Sequence, residues 1–195
     1  MASVIDGSAS ATFQTPLPVS QGGTGAASGA GAAAALAPIQ LGSTQNTTSG
    51  TTVDVTTVPA GVRRITIVPR AVSTNGTSSL MVQIGSGSFA TTGYASTASG
   101  CYSGNVISGL AFTNGFGLAI SAVAANVHHG SVTLIHMGGN VWQCSSILNA
   151  SVSNAGAFTG SGDITLSGVL DRVRFTTANG TDAFDNGSVS FLWEF

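Results

Sequence analysis

Three histidines, His128, His129 and His136, carry the side chains best suited to binding a metal ion. A β-strand through this stretch would separate His128 from His136 by about 26 Å, at roughly 3.3 Å per residue. His129 would face the opposite side, because successive side chains of a strand alternate between its two faces. We therefore predict no metal site within one chain. A site built from three copies of one histidine around a symmetry axis is the alternative.

Acidic residues are sparse, and the stretch NGTDAFDNG (179–187) brings two of them close together. Asp182 and Asp185 could supply oxygens to Ca²⁺, although such sites usually draw on more carboxylates at alternating positions. They could also stand about 5 to 9.5 Å apart, as two glycosidase carboxylates do. Asp and Asn side chains also stabilise turns by bonding to their own backbone. We favour this last interpretation.

No motif for a nucleophile or a phosphate loop is present. GSGSF (85–89) and GSGD (160–163) are not the G-x-S-x-G elbow that sits between a strand and a helix. GGTGAASG (22–29) lacks the Lys-Ser/Thr pair of a phosphate-binding loop. We therefore predict that the protein is not an enzyme and uses no cofactor.

Aromatic side chains remain as candidates for ligand binding. Tyr94 and Tyr102 flank the segment GYASTASGCYSG (93–104), which we interpret as a long loop, and Trp142 begins a strand after a Gly-Gly-Asn turn. Aromatic faces beside Asn and Ser side chains suit sugar rings, which stack through their C–H faces and bond through their hydroxyls. We name Tyr94, Tyr102 and Trp142 as candidate ligand-binding residues. The alternative places them in the core or at a subunit interface.

The two cysteines, Cys101 and Cys144, are either free thiols or one disulfide. Two cysteines in a chain of 195 residues do not make a disulfide framework. We favour free, half-buried thiols.

The composition excludes several classes of partner. Only 6% of the residues are charged, against about 25% in ordinary soluble domains. The net charge is -2 and there is no lysine, so nucleic acid and an anionic membrane surface are poor partners. The apolar stretch GLAISAVAANV (117–127) falls short of the roughly 20 residues of a membrane span. We predict neither nucleic-acid binding nor membrane insertion.

Apolar residues alternate with polar ones from residue 51 onward, a pattern typical of half-buried strands. The segments LMVQIG (80–85), FGLAIS (116–121) and GSVSFLWEF (187–195) are examples. Turn sequences such as STNGTS, TNG, ANG and DNG separate them, and SVTLIHMGGNVWQCSSIL (131–148) has the pattern of a hairpin. We predict an all-β fold, an antiparallel β-sandwich of jelly-roll type, over residues 51–195.

Residues 1–50 contain too few large apolar side chains to form a core, so we predict an arm. Pro16 and Pro18 favour extended backbone, and QGGTG (21–25) forms a flexible hinge. The stretch AASGAGAAAALA (26–37) predicts a short Ala-rich helix that Pro38 ends.

Two segments resemble a known family. PLPVSQGGTGAASGAGAAAALAP (16–38) is similar to the P-x-x-x-GGTGA connector of tailed-bacteriophage tail fibres. The last 26 residues resemble the C-terminal strands of fibre receptor-binding domains, at positions Asn179, Gly180, Thr181, Asp182, Phe184, Asp185, Gly187, Ser188 and Glu194. The resemblance implies a homotrimer with an N-terminal virion-attachment end and a distal β domain that contacts the host surface, commonly its polysaccharide.

We therefore expect a homotrimeric phage fibre protein, located in the virion after assembly in the host cytoplasm. Residues 1–50 would hold the attachment arm and hinge/helix connector, and residues 51–195 the receptor-binding domain. Its partners would be its own copies, a tail or capsid protein, and a host surface glycan or lipopolysaccharide. One alternative is a structural capsid decoration or head-fibre protein without receptor binding. Another is a polysaccharide depolymerase.

Overall fold

Fourteen β-strands form the secondary structure that the computed structural model describes, and no α-helix occurs in its described residues, 36–102, 106–120, 123–152 and 155–195. The strands are β1 (Ile39–Leu41), β2 (Gln45–Asn46), β3 (Thr52–Val55), β4 (Arg64–Thr74), β5 (Leu80–Ser86), β6 (Ser88–Phe89), β7 (Ala95–Tyr102), β8 (Val106–Phe112), β9 (Phe116–Ala119), β10 (Val127–Gly138), β11 (Val141–Ser151), β12 (Gly156–Thr165), β13 (Arg172–Thr177) and β14 (Phe184–Glu194).

The chain divides into two compact units, Met1–Gln40 and Leu41–Phe195. In the second unit one sheet runs in the order β14-β4-β10-β11-β12-β7-β8, with β2 also paired to β14. The other sheet runs β3-β13-β5-β6, with β9 paired to β5. The strand pairs whose registers are described in this unit are all antiparallel. The predicted all-β, antiparallel fold is confirmed.

One hydrophobic core joins the two sheets. Its members include Leu134 and Phe158 from the larger sheet, and Val82, Phe116 and Phe175 from the smaller one. Along β11 the burial alternates strictly from Trp142 to Ala150, because every second side chain points at the facing sheet. The arrangement is consistent with a β-sandwich.

The predicted hairpin over residues 131–148 is confirmed. Strands β10 and β11 pair in register from Val127–Ser151 to His136–Trp142, and the turn follows a register shift at Gly138. Gly138 and Gly139 both have positive φ angles, of 107° and 56°. Glycine adopts this backbone region without the steric cost that a Cβ atom imposes, so the Gly-Gly-Asn sequence suits the turn.

The segment predicted as a long loop, residues 93–104, is mostly strand, and that prediction was wrong. Strand β7 covers Ala95–Tyr102 and pairs with β12 and with β8. Its first three inward positions, Ser96, Ala98 and Gly100, are all small, and the large inward side chain, Tyr102, comes only at the end of the strand. Buried and exposed residues therefore alternate along β7, but apolar and polar residues do not, so the sequence pattern does not reveal the strand.

The DNG sequence at residues 185–187, predicted as a turn, lies inside strand β14 as a bulge. The pairing between β14 and β4 shifts register on both sides of Asn186. The opposing residue Ala71 has a positive φ of 55°, and its backbone N–H donates to Nδ1 of His129 at 3.3 Å. The Nδ2 group of Asn186 donates to the carbonyl oxygen of Ala71 at 2.8 Å. The bulge is thus held by side chains from two strands.

Residues 1–35 of the predicted arm lie outside the described residues. The Ala-rich helix predicted over 26–37 therefore lies outside them too, except for Leu36 and Ala37, which are not helical. The domain division at residue 50 stays a prediction. The structure pairs β2 with β14, and the hydroxyl of Thr47 donates to the carbonyl oxygen of Asn186 at 2.7 Å.

A search of the described residues for a helix that is long and apolar enough to span a membrane finds none.

Candidate functional site

A cleft of about 220 Å³ lies at one end of the sandwich, where the chain crosses between the sheets. One wall is the link from β3 to β4, the second is the end of the β10–β11 hairpin, and the third is the link from β12 to β13. We call this the Trp142 cleft. Its lining residues are Val58, Pro59, Ala60, Gly61, Val62, Arg63, His136, Gly139, Trp142, Val169 and Leu170.

The hairpin register places two stacked aromatic rings in the lining of the cleft. His136 and Trp142 are directly opposed across β10 and β11, and their rings stack at 5.0 Å with an interplanar angle of 20°. Trp142 is buried, with only 4% of its surface exposed, so it supports the base of the cleft rather than standing free.

Hydrogen bonds fix the orientation of the His136 ring. Its Nε2 lies 2.7 Å from the carbonyl oxygen of Gly139, which can only accept, so Nε2 carries the proton. In the neutral ring Nδ1 is then the acceptor, and Nη1 of Arg63 donates to it at 3.2 Å. The chain Arg63–His136–Gly139 thereby holds the guanidinium group at the mouth of the cleft.

Arg63 is the one charged residue among the described residues that line the cleft. The neighbouring Arg64 pairs instead with Glu194 at 3.2 Å. No carboxylate of the described residues lies within ion-pair distance of Arg63. The cleft therefore combines an apolar wall with an uncompensated positive charge at its mouth.

The two tyrosines named from the sequence lie elsewhere. The hydroxyl of Tyr94 accepts from the backbone N–H of Ile84 at 2.8 Å and donates to the carbonyl oxygen of Ile84 at 3.1 Å or of Ala90 at 3.2 Å. Burial raises the pKa of Tyr94 to about 12. The hydroxyl of Tyr102 donates to the carbonyl oxygen of Ile120 at 2.6 Å, and burial raises its pKa. Neither tyrosine lines the Trp142 cleft.

As ligand-binding residues, Tyr94, Tyr102 and Trp142 stay predictions. Arg63 and His136 had not been singled out as partners of Trp142 from the sequence. Only part of a signal for His136 was present: the hairpin pattern brings it close to Trp142, but the two-residue turn Gly139–Asn140 alone would pair His136 with Gln143, and the register shift between His136 and Gly138 makes Trp142 its partner. No local pattern brings Arg63 to the same point.

The acidic stretch at residues 179–187 begins in a turn and ends inside strand β14. Oδ1 of Asn179 accepts from the backbone N–H groups of Thr181 at 3.0 Å and Asp182 at 3.2 Å. The carboxylate of Asp182 accepts from Nδ2 of Asn179 at 2.6 Å and from the backbone N–H of Ser78 at 2.8 Å. Asp185 accepts from the hydroxyl of Ser73. Asn179 thus makes the local backbone bonds of the turn-stabilising interpretation, whereas Asp182 and Asp185 bond the distant residues Ser78 and Ser73.

Histidine, cysteine and carboxylate side chains do not cluster in threes anywhere in the described part of the chain. His129 accepts a backbone hydrogen bond in the β4 bulge, and His136 lies in the cleft. His128 is buried, its Nδ1 lies 3.3 Å from the carbonyl oxygen of Val72, and its Nε2 has no hydrogen-bond partner among the described residues. The proton therefore resides on Nδ1.

We expect His128 to make the fold acid-labile. Burial lowers its pKa from the ordinary value of 6.5, with a smaller contribution from His129 in the same direction. The unfolded chain then binds this proton more readily, so stability is complete above about pH 6.5 and falls below it, by at most about 1.4 kcal/mol per pH unit. Urea titrations from pH 7.5 to 5 should show a steeper decline for the wild type than for His128→Leu. Parallel declines would refute the assignment.

The two cysteines are free and lie on opposite faces of the larger sheet. Cys144 is fully buried in the core, whereas Cys101 is exposed on β7. Burial also raises the pKa of the Cys144 thiol, which suppresses its reactive thiolate form.

We expect Cys144 to stay unreactive until the protein unfolds. A Cys101→Ser variant should give no reaction with a thiol reagent in native buffer and one thiol per chain in denaturant. Rapid native labelling of this variant would contradict the burial of Cys144.

The outward surface of strands β7, β8, β11 and β12 is almost free of charge. We call it the outer face. Its exposed residues are Ala95, Thr97, Ser99, Cys101, Ile107, Gly109, Ala111, Ser145, Ile147, Asn149, Ala157, Thr159, Ser161, Asp163 and Thr165. Ile107 and Ile147 are 77% and 67% exposed, and Asp163 is the one charged side chain among them.

No protein-family model, no curated protein and no solved structure matches this chain.

Proposed function

We propose that the protein is a homotrimeric bacteriophage fibre protein. It attaches to the virion through its N-terminal arm and binds a host surface glycan through its β-sandwich, in the Trp142 cleft. The finer architecture belongs to the same proposal: a jelly-roll-like sandwich over residues 51–195, and an arm over residues 1–50 with a short Ala-rich helix.

The observation that carries the proposal is the cleft itself. It is concave and partly apolar, and its few polar groups are fixed in position by hydrogen bonds, which is the general form of a small-molecule site. A purely structural capsid protein needs no such cleft. The presence of the cleft therefore supports receptor binding over capsid decoration.

The outer face supports assembly with sister copies. It presents small uncharged side chains with two exposed isoleucines, Ile107 on β8 and Ile147 on β11, and small side chains let a second copy approach closely. Like-charge repulsion does not oppose contact between copies, because Asp163 is the one charge present. The similarity of residues 16–38 to fibre connectors points to the trimer.

The test is binding of the full chain to an array of bacterial lipopolysaccharides and capsular polysaccharides. We expect the wild type to bind a subset of them. Ala60→Trp, which fills the cleft from its exposed rim, should weaken that binding about tenfold or more, since a ligand there would be blocked. Ala125→Trp is the matched control, because Ala125 is an exposed alanine on a turn away from the cleft.

Other outcomes separate the alternatives. If the chain binds no polysaccharide and gold-labelled antibody against it marks phage capsids, the proposal is overturned in favour of a decoration protein. Release of soluble sugar fragments would favour a depolymerase. Light scattering on the purified chain should give the mass of three copies, and a monomer would overturn the trimer.

A further inference from the structure

We propose that the Trp142 cleft selects an anionic sugar residue, one that carries a carboxylate or a phosphate. This inference rests on the proposed glycan-binding function and narrows its ligand class. It follows from the position of one cation, Arg63, and from the absence of any carboxylate among the described residues around it.

The protein pairs most of its scarce cations internally. Arg174 forms two hydrogen bonds with Asp54, at 2.8 and 2.7 Å, and Arg172 forms two with Asp171, at 2.7 and 3.2 Å. Arg64 pairs with Glu194. Of the five arginines, Arg63 and Arg70 have no carboxylate partner in the described residues. Of these two, Arg63 lines the Trp142 cleft, and Arg70 lines none of the clefts formed by the described residues.

The guanidinium group of Arg63 is held in place without being neutralised. Its hydrogen bond goes to the neutral Nδ1 of His136, whose ring is fixed in turn by Gly139 and by stacking on Trp142. A guanidinium has five N–H donors, so this bond leaves others to meet a ligand. Their planar fork matches the geometry of a carboxylate or a phosphate.

The remaining walls of the cleft suit the rest of a sugar. Val58, Pro59, Val62, Val169 and Leu170 line it with apolar surface, on which the C–H face of a ring can pack. At about 220 Å³ the cleft is smaller than the roughly 300 to 1,000 Å³ of typical drug-sized sites. It therefore fits one sugar residue, with the charged substituent at the mouth beside Arg63.

The experiment is a titration of the full chain, followed by NMR, with four probes: methyl glucuronide, glucose 6-phosphate, methyl glucoside and inorganic phosphate. We expect at least one of the charged sugars to bind about tenfold or more tightly than methyl glucoside. Preference for the glucuronide or for the phosphorylated sugar identifies the anionic group. Inorganic phosphate should bind more weakly than either charged sugar that binds, because it lacks the ring.

Arg63→Gln should abolish the preference for the charged sugar, and Arg63→Lys should keep part of it. Arg70→Gln removes an exposed arginine outside the cleft and should leave binding unchanged. Matching melting temperatures and amide spectra of the free variants exclude a folding defect. Added salt should weaken the wild type's binding and leave residual binding by Arg63→Gln nearly unchanged.

Failure of this inference and failure of the proposed glycan-binding function would give different results. Equal binding of methyl glucoside and the charged sugars, or an unchanged preference in Arg63→Gln, would overturn this inference and leave the glycan-binding function standing. Inorganic phosphate binding as tightly as the sugars would also overturn it, because an anion site alone would then explain the data. Absence of binding both to these probes and to the polysaccharide array would overturn the proposed function as well.

Discussion

Phe158→Ala should lower the free energy of unfolding by about 3 to 5 kcal/mol, the usual cost of removing a buried phenylalanine ring. Phe158 is fully buried on β12 and packs edge-to-face on Tyr102, with ring centroids 5.4 Å apart. It also lies near His128, at 6.3 Å between ring centroids. The substitution leaves a cavity beside β7, where Tyr102 and Gly100 adjoin the ring. Tyr102 cannot close it freely, since its hydroxyl is bonded to Ile120.

A second substitution tests whether position 100 requires glycine because of the neighbouring Phe158 ring. Phe158 is directly opposite Gly100 in the β7–β12 register, and a Cβ on Gly100 would lie 2.7 Å from Cε1 of the ring. Gly100→Ala should therefore destabilise the wild type by about 1 to 3 kcal/mol, the range for overpacking. In the Phe158→Ala background that clash is gone, so the same change should cost far less.

Urea denaturation of the four chains measures this coupling, with all four at one protein concentration so that any assembly affects them equally. Additive effects would show that Gly100 does not accommodate the Phe158 ring. A loss below about 1 kcal/mol for Phe158→Ala would show that the core between β7 and β12 is loosely packed.

Much of the fold was predictable wherever large apolar residues mark every second position. The hairpin of β10 and β11 follows from the alternation through Val132 and Leu134 and from the Gly-Gly-Asn turn. Strand β14 follows in the same way from Val189, Phe191 and Trp193, which are all buried. In these strands local pattern and tertiary burial agree.

The pattern fails where a side chain of the neighbouring strand fills the core. Strand β7 turns only Ser96, Ala98 and Gly100 inward among its first six residues, because large side chains such as Phe158 occupy the adjacent space. The inward and outward residues of this part of β7 are all small, so their hydropathy does not alternate. The strand can be recognised only from the Phe158 ring, which occupies the space beside Gly100 and lies far away in the sequence.

In the candidate site, too, some residues were predictable from the local sequence and others were not. Trp142 is visible in the sequence as an aromatic residue at the start of a strand, and the hairpin register supplies His136. Arg63 reaches them only because β4 pairs with β10, where the backbone N–H of His136 donates to the carbonyl oxygen of Arg63 at 2.9 Å. That contact is a long-range pairing, for which the neighbouring sequence carries no signal.

Gly187→Ala should destabilise the fold by about 3 kcal/mol or more, because two independent costs add. Gly187 has a φ of 93°, a region that costs a residue with a Cβ atom about 1 to 3 kcal/mol. A Cβ there would also lie 2.6 Å from the carbonyl oxygen of Arg70 and closer still to that of Ala71. Both oxygens belong to the backbone of β4, so the bulge that Asn186 and His129 hold must shift.

Gly180→Ala separates the two costs. Gly180 also has a positive φ, of 68°, but no atom lies within 4 Å of its would-be Cβ. This variant should lose only the conformational cost, about 1 kcal/mol. The difference between the two variants in urea denaturation then measures the steric part at the bulge. Equal losses would mean that β4 yields without penalty, and that the close approach of β14 to Ala71 does not constrain the glycine.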